Sequence, residues 1–155
     1  MANNRLYQFK QKLDHAFAIT STIIDDEEKA ILTKHLCIMV AGYVENILKA
    51  TITTYASKHS SREMQNYIES STKSITNLNK EKITSCLNQF DVTWGKDFEQ
   101  KISSEQCDAL ATILANRNQI AHGKDVGMTF VNIEKYYKCI LQVERLIDKI
   151  VNSKK

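Results

Sequence analysis

Leu36-Cys37-Ile38-Met39-Val40-Ala41-Gly42-Tyr43-Val44 is apolar on nearly every side of a helix. Such a helix is wrapped by other helices, because no face of it suits water. The run is too short for a membrane span, which takes about 18 apolar residues or more. It reads as the middle of a long core helix. Upstream, Asp25-Asp26-Glu27-Glu28 sets carboxylates where the macrodipole favours them, at a helix N-terminus. The helix is expected to run from there to about His59, with residues 30 to 57 as the central element.

The rest of the chain reads as helices around it. A first helix is expected over about residues 4 to 20, with Leu6, Phe9, Leu13, Phe17 and Ile19 as its apolar stripe. Ser60-Ser61-Arg62-Glu63 has the spacing of a capping box and opens a short third helix. Ser70 to Asn79 is polar and turn-like. Glu81 to Phe90 gives another short helix, and Trp94 and Phe98 follow in a small amphipathic segment, with Trp94 as packing anchor. Ser103-Ser104-Glu105-Gln106 is a second capping box, and Gly123 and Gly127 end the helix that it starts. A last helix begins near Thr129 with the stripe Val131, Ile133, Tyr137, Ile140, Val143, Ile147 and Ile150.

The 155 residues include no Pro and only four Gly, too few turn formers for a β-rich fold. An all-α, compact bundle of about five to seven helices is expected, as one domain over residues 1–155 with one core. The net charge of +3 permits an anionic partner. A dedicated duplex-DNA binder is usually more basic, with its cations on one face; here acids and bases alternate, and Lys149, Lys154 and Lys155 read as an ordinary soluble tail. Cys37, Cys86, Cys107 and Cys139 sit far apart, each in a different helix, and read as small buried hydrophobes in a reducing compartment. Met1-Ala2-Asn3-Asn4-Arg5 shows no apolar core of a signal peptide, so a cytoplasmic protein away from membranes is expected. His15, His35 and His59 have no ligand spacing, and neither a metal nor a cofactor is expected.

The sharpest chemistry lies in Arg117-Asn118-Gln119-Ile120-Ala121-His122-Gly123. At 100° per residue, Leu110, Leu114, Arg117 and Ala121 fall on one narrow helical face. A guanidinium on an apolar stripe must be paired, since an uncompensated buried charge is very costly. Either it meets a carboxylate inside the fold or its face lines a shared cleft. Glu45, beside the most apolar part of the core helix, is one such partner; its other reading is a carboxylate at the helix rim in water. Asn118 offers both a donor and an acceptor. His122 falls at the helix end, and an imidazole both takes and gives a proton near neutral pH. Taken alone, an arginine and a histidine five residues apart also suit plain surface capping. Tyr136 and Tyr137 read as rim and core of the last helix rather than a base-stacking platform.

With those residues in view the sequence resembles the HEPN superfamily, helical domains marked by an arginine, a polar residue, three spacers and a histidine. Arg117, Asn118 and His122 match that pattern directly. Gly42-Tyr43-Val44-Glu45-Asn46 and Phe90-Asp91-Val92-Thr93-Trp94 are similar to the RiboL-PSP-HEPN type, and the resemblance spans most of residues 30 to 150. It implies a metal-independent endoribonuclease, a toxin or defence effector, that works as a homodimer with two motifs in one cleft. Arg117 would hold the scissile phosphate, His122 would act as base or acid on the ribose 2′-OH and leaving oxygen, and Asn118 would orient the arginine or the phosphate. The implied partners are RNA, a second copy and an antitoxin or defence-system protein. The alternative is a non-catalytic HEPN domain that binds RNA, a nucleotide or a partner protein; a purely structural helical dimer is a third. HEPN toxins silenced by nucleotidyltransferases carry a tyrosine two residues after the histidine. Lys124 stands there instead, so any antitoxin would act by another route.

Overall fold

The computed structural model describes residues 2–153 as seven helices: α1 (Ala2–Thr22), α2 (Asp26–His59), α3 (Arg62–Thr72), α4 (Lys80–Phe90), α5 (Val92–Lys101), α6 (Ser104–Ala121) and α7 (Phe130–Val151). No strand occurs among the described residues. Lys154 and Lys155 of the basic tail lie outside them.

α2 starts where the acid block ends. The Asp25 carboxylate accepts from the Glu28 N–H at 2.9 Å, and Asp26, Glu27 and Glu28 fill the first turn. Leu36, Cys37, Val40, Tyr43, Val44, Ile47, Leu48 and Ile52 are buried along it, beneath α1, α6 and α7. By length and composition α2 could cross a membrane, but 61% of its most apolar window is buried inside the bundle. One face stays open. Ile31 and Ile38, seven residues apart and so on the same side, are 61% and 42% exposed.

α1 and α7 close over the other side of α2. Leu13 and Phe17, with every expected stripe residue of α7 except Val131, are buried. Ile19 and Val131 are exposed. Near the end of α1, Thr20 takes the inward place, its hydroxyl donating to the Ala16 carbonyl at 2.8 Å. Val131 lies in the first turn of α7 and faces water. Two phenols cross this interface. Tyr43 donates to Glu144 at 2.8 Å and Tyr137 to Asp14 at 2.6 Å. Their rings pack with Phe9 and Phe17 and meet each other edge-on. Burial first, and the neighbouring carboxylates second, push both phenols well above their ordinary range.

The capping box at Ser103 forms as expected, with Gln106 returning the bond. The one expected at Ser60 does not. Ser60 caps the end of α2, donating to the Ala56 carbonyl at 2.7 Å, so Ser61 opens α3 instead. α3 then runs to Thr72, into the stretch read as a turn, which leaves 73–79 as the loop. Trp94 is buried edge-on to Tyr55 and stacked with Phe90. All four cysteines are free, Cys37 and Cys139 buried and the other two half-buried. Burial pushes the Cys37 thiol up to about 11.

Candidate active site at the end of α6

Along α6 the side chains pass from buried Leu110 through half-buried Leu114 and Arg117 to exposed Ala121. The guanidinium therefore emerges from the core at its rim. Its Nη1 donates to the Asn77 side-chain oxygen and, at 3.4 Å, to that of Asn118. Among the described residues no carboxylate lies within ion-pair distance of it. Both acceptors are neutral, so the cationic charge is oriented without being cancelled. A guanidinium has five N–H donors. Those on Nε and Nη2 have no hydrogen-bond partner among the described residues.

Glu45 does not reach Arg117. Its carboxylate accepts from the backbone N–H of Asn77 at 2.9 Å. Asn77 stands in the left-handed region at φ 53, a conformation asparagine adopts more readily than most residues. Glu45 thus pins the loop, and the loop's asparagine aims Arg117. Val44, Glu45, Asn77, Leu114 and Arg117 line a pocket with room for scarcely one water molecule. Sequence reasoning missed Asn77. A lone asparagine in a polar turn signals tolerance of positive φ, but nothing local ties it to an arginine 40 residues away.

His122 is the residue that ends α6. Its N–H bonds to the Asn118 and Gln119 carbonyls, both at 3.2 Å. Gly123 turns left-handed at φ 69. The Gly123 and Lys124 N–H groups then return to Ile120 and Gln119 at 3.0 Å each, the double bond of a Schellman stop. Open space surrounds Gly123, so only backbone conformation demands glycine there. The imidazole is left exposed just before the turn. It makes no hydrogen bond with Arg117. Five residues along a helix is roughly 140° of rotation and about 7.5 Å of rise, so the two groups leave α6 in different directions. Lys34 pairs with Asp125 at 3.0 Å and ties the following loop back to α2.

Glu45 lies seven residues beyond Ile38, so the open Ile31–Ile38 stripe leads along α2 to the Arg117 pocket. Of the remaining histidines, His59 stacks on Tyr55 and His15 and His35 are exposed. Among the described residues no three His, Cys, Asp or Glu side chains gather as a metal-binding group would require.

Arg117, Asn118 and His122 thus stand at the end of a helix that packs on the long core helix. The family model for RiboL-PSP-HEPN matches residues 4–153, nearly the whole chain. The chain belongs to the RiboL-PSP-HEPN family. No curated protein and no solved structure matches it. In this RiboL-PSP-HEPN chain, Arg117 bonds to Asn118 directly and is linked to Glu45 through Asn77, and His122 stands apart at the helix end.

Proposed function

We propose that this chain is a metal-independent endoribonuclease of the HEPN type that cleaves single-stranded RNA as a homodimer. One observation carries the reading: among the described residues Arg117 is held by two neutral side-chain oxygens and by no carboxylate, and its Nε and Nη2 have no partner. A guanidinium serving only the fold is usually neutralised when it lies against a core. One that is oriented yet uncancelled suits a phosphate, which it can grip with two parallel N–H bonds. Arg117 then holds the scissile phosphate and stabilises the charge that builds in the transition state. His122 takes the 2′-OH proton or delivers one to the leaving 5′ oxygen. Attack by the 2′-OH on phosphorus forms the cyclic phosphate as the P–O5′ bond breaks. DNA, without that hydroxyl, is resistant.

Within one chain Arg117 and His122 diverge. A two-fold partner seated on the Ile31–Ile38 stripe would bring two copies of the motif to one cleft, since an isologous patch meets itself. The same divergence is what favours the second reading, a non-catalytic domain that binds RNA, a nucleotide or a protein. A role as toxin or defence effector, silenced by a route other than tyrosine modification, accords with the ribonuclease reading. The test is incubation with end-labelled single-stranded RNA in EDTA, with analysis of product ends. Products with 2′,3′-cyclic phosphate and 5′-hydroxyl ends are expected, from a protein that is dimeric by light scattering. Cleavage that EDTA abolishes would contradict the reading. Tight RNA binding without cleavage would select the non-catalytic one.

A further inference from the structure

α3, the 73–79 loop and α4 line a groove of about 760 Å³. Its floor is apolar, with buried Leu78 and half-buried Ile68, Ile75 and Cys86. Two aromatic rings stand at its edges. Tyr67 is 67% exposed, and Phe90, 37% exposed, is braced from behind by its stack on Trp94. Among the described residues Lys82 is the one charged side chain that lines it, and no carboxylate does. A fold needs no exposed aromatic pair over an unfilled apolar floor. A volume of this size lies within the usual range of small-molecule sites.

The groove also has an address. Thr76 and Leu78 line it, and Leu78 lines the Arg117 pocket as well. Asn77, between them, is the residue that aims Arg117. The Arg117 pocket and the groove thus share the 76–78 stretch of the loop as a wall, and a strand whose phosphate sits on Arg117 is placed beside the groove.

We propose that the α3–α4 groove is the base-binding track of this protein, where nucleobases beside the clamped phosphate stack on Tyr67 and Phe90 while Lys82 meets the backbone. The proposal rests on the ribonuclease reading for the placement of the phosphate. Aromatic stacking of this kind accepts any base, since every base has a π face.

The probe is a fluorescent single-stranded oligoribonucleotide, 2′-O-methylated throughout so that it cannot be cleaved, with binding read by anisotropy. Tyr67→Ala should weaken binding about tenfold, the usual size of one base-stacking contact. Tyr67→Phe, which keeps the ring, should restore it. Phe90→Leu, which keeps an apolar side chain against Trp94, should also weaken binding about tenfold. The same strand with abasic sites should bind weakly and equally to wild type and Tyr67→Ala. Unchanged affinity in both groove variants, with circular dichroism showing an intact fold, would overturn the proposal even if the protein cleaves RNA. Loss of binding in them would uphold it even if no RNA is cleaved. Self-association that falls in Tyr67→Ala while RNA affinity holds would assign the groove to a second copy and likewise overturn it.

Discussion

Two sets of polar groups sit at the edge of this core, and they are finished differently. Between α1, α2 and α7, each phenol meets one carboxylate: Tyr43 with Glu144, Tyr137 with Asp14. The rings are locked by stacking, and each hydroxyl has spent its proton on the acid. At the end of α6, Arg117 is steered by neutral oxygens and keeps donors to spare, while His122 stands in water. In the first set each phenol is matched to an acid. The second is open. Where polar groups complete one another they hold the fold, and where they stop short of it they are available for chemistry.

The largest effect that would break this comparison comes from closing the open set. Asn77→Asp places a carboxylate on Arg117 at a position where aspartate also tolerates positive φ. RNA cleavage should fall roughly 10- to 100-fold, the worth of one charge-assisted contact in the transition state, with thermal stability nearly unchanged. Unaltered cleavage would mean that the arginine need not be free.

Opening the closed set should do the reverse. Tyr43→Phe leaves half-buried Glu144 without its donor and should cost about 1–3 kcal/mol. Tyr137→Phe should cost nearer 1 kcal/mol, because Asp14 is exposed and keeps Lys10 at 3.0 Å. In a chain of this size each 1 kcal/mol lowers Tm by about 2–4 °C, and cleavage should stay at the wild-type rate. Alkali gives a third check. Burial lifts Cys37 from 9.0 to about 11, and Tyr43 and Tyr137 upward from 10.0. The folded state thus holds these protons more firmly than the unfolded chain does. For Cys37 the stabilisation is complete below pH 9 and is lost as pH rises through 11; for the two phenols it is complete below pH 10 and is lost progressively above it. Denaturant midpoints should fall across that window, less steeply in a Tyr43→Phe, Tyr137→Phe double variant. The smallest effect belongs to Lys34→Ala. Its exposed pair with Asp125 should contribute under about 1 kcal/mol to unfolding free energy measured in urea.

The fold was legible because it is local. Apolar periodicity, the acid block at Asp25 and the box at Ser103 are written within a turn or two of the helices they shape. Where signals competed, the reading slipped: Ser60 and Ser61 both suit an N-cap, and only the end of α2 decides between them. Ile19 and Thr20 are neighbours, and the packing partner, not the period, chose which turned inward. Arg117, Asn118 and His122 were legible as a motif. Asn77 and the true bond of Glu45 were not, because they depend on a loop folding back across tens of residues onto α6. The exposure of Ile38, in the most apolar stretch of the chain, was hidden for the same reason: sequence shows what a helix carries, and packing decides which side is left open.

The most direct test of the account is cleavage of single-stranded RNA in EDTA by wild type, Arg117→Ala, His122→Ala and Tyr137→Phe, with dimer and fold checked for each. A loss of about 10²–10³-fold or more is expected in the first two variants, the cost of one preorganised transition-state contact, and wild-type cleavage in Tyr137→Phe. Equal cleavage by wild type, Arg117→Ala and His122→Ala would contradict it.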